Sequence, residues 1–217
     1  MGKKIISKKR WIETLEVWKK NNPNPTSDLI STNNFTFTVA VLLSAQSTDE
    51  GVNKATKELF KIADTPEKML SLGIDNLKNH IKTIGLYNNK AKNIILLSEK
   101  LIKDHNSKIP NTPEKLEALP GLGRKSANVI ANHLFKTPTI GVDTHIIRLS
   151  HRLNIIDDSA GKNTLKIEKE LLKRTPKEYL TNVGNWIVLH GRYICKAKKT
   201  LCEKCPIYDL CTSNEKI

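Results

Sequence analysis

Six residues of this chain have types and spacings that carry chemistry. Lys125 follows "LPGLGR" and stands at the start of a helix-like run, 124–135. The N-terminus of a helix carries partial positive charge, so an ammonium placed there costs roughly 0.3–1 kcal/mol. That penalty favours the neutral amine, and only the neutral amine is a nucleophile. The dipole is too weak to free an amine on its own, so burial is expected to supply the rest. Taken alone, Lys125 reads better as a solvated helix lysine, and only the residues that follow lift it above that reading. Asp143 follows "PTIGV" and precedes "THIIRL", which makes it a helix N-cap. A carboxylate so held is a fixed anion, able to sit beside a developing cation and to accept a proton. Cys195, Cys202, Cys205 and Cys211 all fall in the last 23 residues, spaced C-x6-C-x2-C-x5-C. Four thiolates hold either zinc or an iron–sulfur cluster. Structural zinc favours paired short spacings, and here only Cys202–Cys205 is short. One short pair with two wide arms suits a [4Fe–4S] cluster better.

These residues need helices to position them. Apolar periodicity predicts helices over 8–20, 35–46, 48–62, 66–71, 74–81, 88–104, 113–118, 124–135, 144–153, 163–173 and 178–194. Trp11, Leu15 and Trp18 form one stripe of the first. The run "FTFTVAVLLSAQ" is rich in β-branched residues, but its length favours a buried helix over a strand. Ser47 and Glu50 form a capping-box pattern before 48–62. "TPEK" at 65–68 and 112–115, and "TPKE" at 175–178, each offer Thr as N-cap and Pro at the first helical position. No alternating strand pattern competes, so the expected class is all-α. Between the short helix 113–118 and the helix 124–135, Pro120, Gly121, Leu122 and Gly123 make a helix–hairpin–helix. Glycines there allow positive φ and close approach of a ligand. The following helix end suits a phosphate. A tight turn that binds nothing satisfies the same pattern.

Composition narrows the partner. The 217 residues carry a formal charge of +14, with a pI near 9.6. That excess suits a polyanion, most simply nucleic acid. Abundant Lys, Asn and Ile also fit AT-rich coding, which would make part of the charge compositional. Apolar residues are 38% and aromatics only 5%, so the core must rest on Ile, Leu, Val and Ala. No secretory signal and no run of roughly 18 apolar residues is visible. A soluble intracellular protein is expected. Cysteines clustered in such a chain point to an inorganic centre instead of disulfides.

The segments "LLSAQSTD", "IKTIGLYNNKA", "LPGLGRKSANV", "VDTHI" and "LHGRYIC", with the cysteine spacing, resemble the endonuclease III family, bifunctional DNA glycosylases of the helix–hairpin–helix superfamily. The resemblance spans nearly the whole chain. It implies two helical domains with a DNA-binding cleft between them. One is a six-helix barrel bearing the hairpin, 27–137; the other, 1–26 with 138–217, holds the iron–sulfur cluster. It places Lys125 at the nucleophile position and Asp143 at the catalytic carboxylate. Cys195, Cys202, Cys205 and Cys211 become the [4Fe–4S] ligands. Gln46 and Leu86 fall where the gap left by an extruded base is filled. Gly121, Gly123 and Arg124 belong to the DNA-binding hairpin, and Lys196, Lys198 and Lys199 to the cluster loop that approaches phosphates. Leu201 stands where a basic residue is common and is assigned no phosphate, and segment 154–161 departs in length and is given no role. The implied activity is removal of oxidised pyrimidines, such as thymine glycol, followed by cleavage at the abasic site. The implied setting is a monomer on damaged duplex DNA in the bacterial cytoplasm, nucleoid-associated and with no membrane. Two rivals carry other expectations. An adenine-specific mismatch glycosylase shares the hairpin, aspartate and cluster but lacks the lysine and has a further C-terminal domain, whereas this chain runs six residues past Cys211. A non-catalytic zinc protein that binds DNA backbones explains charge and cysteines, and leaves Lys125 and Asp143 a coincidence. His145, His190 and Glu117 lie near these motifs and are left outside the catalytic set.

Overall fold

The computed structural model describes residues 5–213. Among them, every regular element is helical: α1 Lys8–Asn21, α2 Asn34–Leu43, α3 Asp49–Ile62, α4 Pro66–Leu72, α5 Ile74–Ile81, α6 Tyr87–His105, α7 Pro113–Glu117, α8 Arg124–Phe135, α9 Thr144–Arg152, α10 Thr164–Arg174 and α11 Val183–Tyr193. Three-residue 3-10 turns add Asp158–Ala160, Lys177–Tyr179 and Cys202–Lys204. The only bridge of β type among the described residues joins Cys195 to Thr200 and closes the loop between them. The all-α class expected from the sequence is what is found.

The chain divides into two compact units, Ser27–Thr137 and Met1–Thr26 with Pro138–Ile217. The first is built on α2. Phe35 through Leu43 are all buried, which is why β-branched residues here form a helix: a segment enclosed on every side must satisfy its own amides. Thr36 and Thr38 return their hydroxyls to the carbonyls of Asn33 and Asn34. Asn33 and Thr36 form a reciprocal capping box. α2 packs against α3, α6 and α8, and α8 brings Ala127, Ile130 and Ala131 into the same core.

Several helix starts follow the expected chemistry. Thr65 and Thr112 cap α4 and α7 through their side chains, with proline next in line. Two expectations fail. The cap of α3 is Thr48, not Ser47; Thr48 accepts from the amide of Gly51, while Ser47 turns its hydroxyl to Lys90. "TPKE" does not open a helix at 178. Thr175 is the C-cap of α10, and its buried hydroxyl has no hydrogen-bond partner. Only the 3-10 turn Lys177–Tyr179 follows, and α11 starts at Val183.

The second unit gathers α1, α9, α10, α11 and the C-terminal tail. Trp11, Leu15 and Trp18 are buried as their stripe predicts, joined by Ile146, Leu149, Leu171, Val183 and Ile187. Trp11 and Trp18 meet edge to face at 5.8 Å. No helix among the described residues is long and apolar enough to cross a membrane.

Candidate functional site

The hairpin between α7 and α8 turns on Gly121, at φ +79. A Cβ there would lie 2.8 Å from Cβ of Asn93 and 2.9 Å from Cδ1 of Leu42. Both the backbone angle and the close approach of α6 and α2 therefore demand glycine. Gly123 differs from expectation. Its φ of −101 and ψ of 177 are ordinary extended values, and an added Cβ would meet nothing within 4 Å. Its lack of a side chain leaves open surface at the start of α8.

Gly123 is the N-cap of α8 and supplies no side-chain oxygen, and the first turn of α8 holds no acid. α3, α4 and α7 all have a threonine cap and at least one acidic residue in their first turn. α8 thus keeps its positive dipole end uncompensated by carboxylates of its own first turn, the arrangement that receives an external phosphate. Arg124 and Lys125 stand there, both exposed. The expectation that burial acts on Lys125 is corrected: the chain alone does not enclose it.

Gln46 and Leu86 share an unusual geometry. Gln46 has φ 56 and Leu86 has φ 60, a left-handed backbone that costs about 1–3 kcal/mol for a residue with a side chain. Both are exposed, Leu86 to 60%. A bulky apolar residue held strained and exposed points to a role outside the fold. Gln46 lies in the turn after α2, and Leu86 is the N-cap of α6.

Sequence reasoning missed the residue beside them. Lys90 is 6% exposed; its Nζ donates to the carbonyl of Leu43 at 2.9 Å and to Oγ of Ser47 at 3.0 Å. Burial pushes its pKa below the usual lysine range. A signal was available. Lys90, Ile94, Leu97 and Leu101 lie on one buried stripe of α6, and a lysine on an apolar stripe must find acceptors inside.

In the other unit, Asp143 caps α9. Its Oδ1 accepts from the amides of His145 at 2.9 Å and Ile146 at 3.0 Å, so the capping expected from the sequence is present and the carboxylate is fixed in place.

The four cysteines line one cavity with Arg152, His190 and Leu201, enclosing about 380 Å³ including its mouth. None is in a disulfide. Arg152 Nη1 donates to Sγ of Cys195 at 3.4 Å, and the amide of Ser213 to Sγ of Cys211 at 3.5 Å. Nε2 of His190 lies 3.7 Å from Sγ of Cys205. Burial pushes the Cys205 thiol up to about 11, with the neighbouring Cys211, Cys195 and Cys202 adding to the rise. Thiolates crowded in such a place are stable only around a cationic core. Among the described residues no three His, Cys, Asp or Glu side chains converge closely enough to grip a single metal ion. Four sulfurs spread around one cavity, with N–H donors aimed at them, fit a multinuclear cluster. His190 is buried against Trp18 at 5.4 Å, and burial lowers its pKa to about 4. Lys196, Lys198 and Lys199 are exposed on the loop closed by the Cys195–Thr200 bridge.

The comparisons with known proteins agree with this layout. Residues 39–177 match the HhH-GPD superfamily of base excision DNA repair proteins. An endonuclease III of Haemophilus influenzae is 50% identical over 98% of this chain and 99% of its own length. That of Escherichia coli K12 is 47% identical over 98% and 99%. A solved endonuclease III described as a trapped covalent intermediate with DNA superposes with a TM-score of 0.87, at 38% identity, over 96% of this chain and 97% of that one. The chain belongs to the HhH-GPD superfamily of base excision DNA repair proteins and, within it, to the endonuclease III family.

Proposed function

We propose that this chain is a DNA glycosylase of base excision repair with abasic-site lyase activity, acting on oxidised pyrimidines in duplex DNA. The observation that carries the reading is the placement of Lys125: exposed in the first turn of a helix with no capping side chain and no acid, directly behind the hairpin. Bound phosphate and an extruded nucleotide would supply the enclosure that the chain by itself does not. A relative trapped as a covalent intermediate with DNA supports an enzyme nucleophile.

A stacked base is out of reach, so the nucleotide is first extruded, with Gln46 and Leu86 filling the space it leaves. Nζ of Lys125, as the free amine, attacks C1′ and the bond from C1′ to the base breaks; the base leaves as its anion and takes a proton from water. Asp143 stabilises positive charge on the sugar and accepts a proton from the lysine nitrogen. Asp143 returns that proton to O4′ as the C1′–O4′ bond breaks, and the ring opens to a protonated Schiff base between C1′ and Nζ. Loss of a C2′ proton then breaks the C3′–O bond and releases the 3′ phosphate. Water hydrolyses the imine and frees the lysine. The hairpin amides and the cluster-loop lysines hold phosphates without reading sequence.

Cys195, Cys202, Cys205 and Cys211 would hold a [4Fe–4S] cluster. Bound there, it would supply a rigid anchor for the loop, whose positive charge comes from Lys196, Lys198 and Lys199 themselves. Borohydride reduction in the presence of abasic duplex tests the central step. Wild type should form a covalent adduct that mass spectrometry maps to residue 125, and Lys125→Gln should lose at least about 10³-fold of trapping rate. An adduct at any other side chain would end this reading.

A further inference from the structure

Gln46 and Leu86 are the two exposed, left-handed residues of the Ser27–Thr137 unit assigned above to the gap in the duplex. They are 40 positions apart in the chain, yet one side chain ties their turns together. The amide of Lys90 donates to the carbonyl of Leu86 at 3.1 Å, closing the first turn of α6. Its ammonium donates to Leu43 and Ser47, which bracket the turn 44–46. Leu43 ends α2, so its carbonyl is one of those a helix leaves without an internal partner. A cation at that end also meets the negative end of the dipole. The Ser47 amide donates back to the carbonyl of Ser44 at 3.1 Å, and Oγ of Ser44 donates to Val41 at 2.9 Å. Among these bonds, the two from the Lys90 ammonium are the ones that reach the turn from another helix.

We infer that Lys90 is a positioning residue for lesion recognition, a buried strut through which α6 sets the turn of Gln46 in register with Leu86. This rests on the assignment of Gln46 and Leu86 as gap-filling residues. Lys90 is buried and touches no DNA in this account. Its effect is to hold two strained turns in the geometry that enters an opened duplex, so that binding does not have to order them.

The experiment compares Lys90→Met, Gln46→Ala, Leu86→Ala and the double variant Lys90→Met/Gln46→Ala. The readouts are affinity for a duplex with a reduced abasic site, affinity for undamaged duplex, and fluorescence of 2-aminopurine opposite the lesion. Lys90→Met should weaken lesion binding about tenfold and lower the 2-aminopurine signal, with undamaged binding unchanged. In the Gln46→Ala background it should add little, because both act through one side chain. Lys90→Arg, which keeps a cationic donor, should recover much of the loss. If Lys90→Met does not fold, Ser47→Ala removes one acceptor and should give a smaller loss, about threefold, again absent in the Gln46→Ala background. Additive losses, or equal losses on undamaged duplex, overturn the proposal while leaving the gap-filling assignment standing. Wild-type lesion binding by Gln46→Ala and Leu86→Ala overturns that assignment, and the proposal with it.

Discussion

The hairpin unit and the cysteine unit are held together by different means. The first surrounds α2 with apolar side chains, and the residues proposed to act on DNA sit at helix ends and turns fixed by that packing. The tail of the second has less of such support: Ile207 enters the core, and Cys195, Cys205, Leu210 and Cys211 pack against it only partly buried. Between 202 and 211 only Ile207 is buried. The tail is tied down by polar bonds to backbone: Arg10 to Asp209, Asn154 to Thr212, and Thr212 to Leu153. Arg148 and Arg152 hold the carbonyls of Cys195 and Lys196. A hydrophobic core tolerates the loss of any one contact. A tail tied by single bonds depends on whatever its four cysteines hold.

The largest expected break of this contrast is removal of a cysteine ligand. Cys202→Ala should strip amide-exchange protection from 195–213 and abolish absorbance from an iron–sulfur chromophore, while protection in α2 and α8 persists. Loss of both regions together would mean that the units do not differ as described. Next is Gly121→Ala, which forces a Cβ into Asn93 and Leu42 at positive φ and should destabilise the hairpin unit by about 2–4 kcal/mol in denaturant unfolding. Gly123→Ala sharpens the point. It should leave stability within about 0.5 kcal/mol and weaken duplex binding, since the open face of α8 is its only constraint.

Thr212→Val removes both bonds of its hydroxyl, the one it donates to the carbonyl of Leu153 and the one it accepts from the side-chain amide of Asn154, and should cost about 1–2 kcal/mol, seen as earlier exchange in 202–213 only. The smallest effect concerns pH. His133 stacks on Phe37 at 4.0 Å, and burial followed by the charge of Lys136 lowers its pKa. The unfolded chain takes up the proton first, so this stabilisation is complete above the ordinary histidine value, about 6.5, and is lost as pH falls through the lowered folded value. Thermal melts between pH 7 and 5 should show this decline, to which His190, lowered to about 4, adds a larger share; His133→Gln should make it shallower without removing it.

Much of this was legible because local chemistry and the fold agree. Thr65–Pro66 and Thr112–Pro113 open helices where the dipeptide says they should. The same pattern at Thr175–Pro176 misleads because Thr175, although extended, is the C-cap of α10, and Pro176 stands as the cap of a three-residue turn and not as the first residue of a helix. Asp143, Lys125 and the cysteines are found by type and spacing. The exposure of Lys125, the ordinary backbone of Gly123 and the struts of Lys90 and Arg152 are products of tertiary packing, which no single segment encodes. Leu86 illustrates the limit. Nothing in "TIGLYNN" declares that the leucine and not the glycine before it takes the left-handed turn.

The order in which the chain supplies its two units has a consequence for synthesis. Residues 27–137 form one uninterrupted stretch, while the other unit needs 1–26 and 138–217 together. On a ribosome the middle of the protein can complete its core while α1, already made, still waits several seconds for Ile146, Leu149 and Trp186 to emerge. Until then Trp11, Leu15 and Trp18 have no burial site of their own, which makes the nascent amino end the segment most in need of a chaperone.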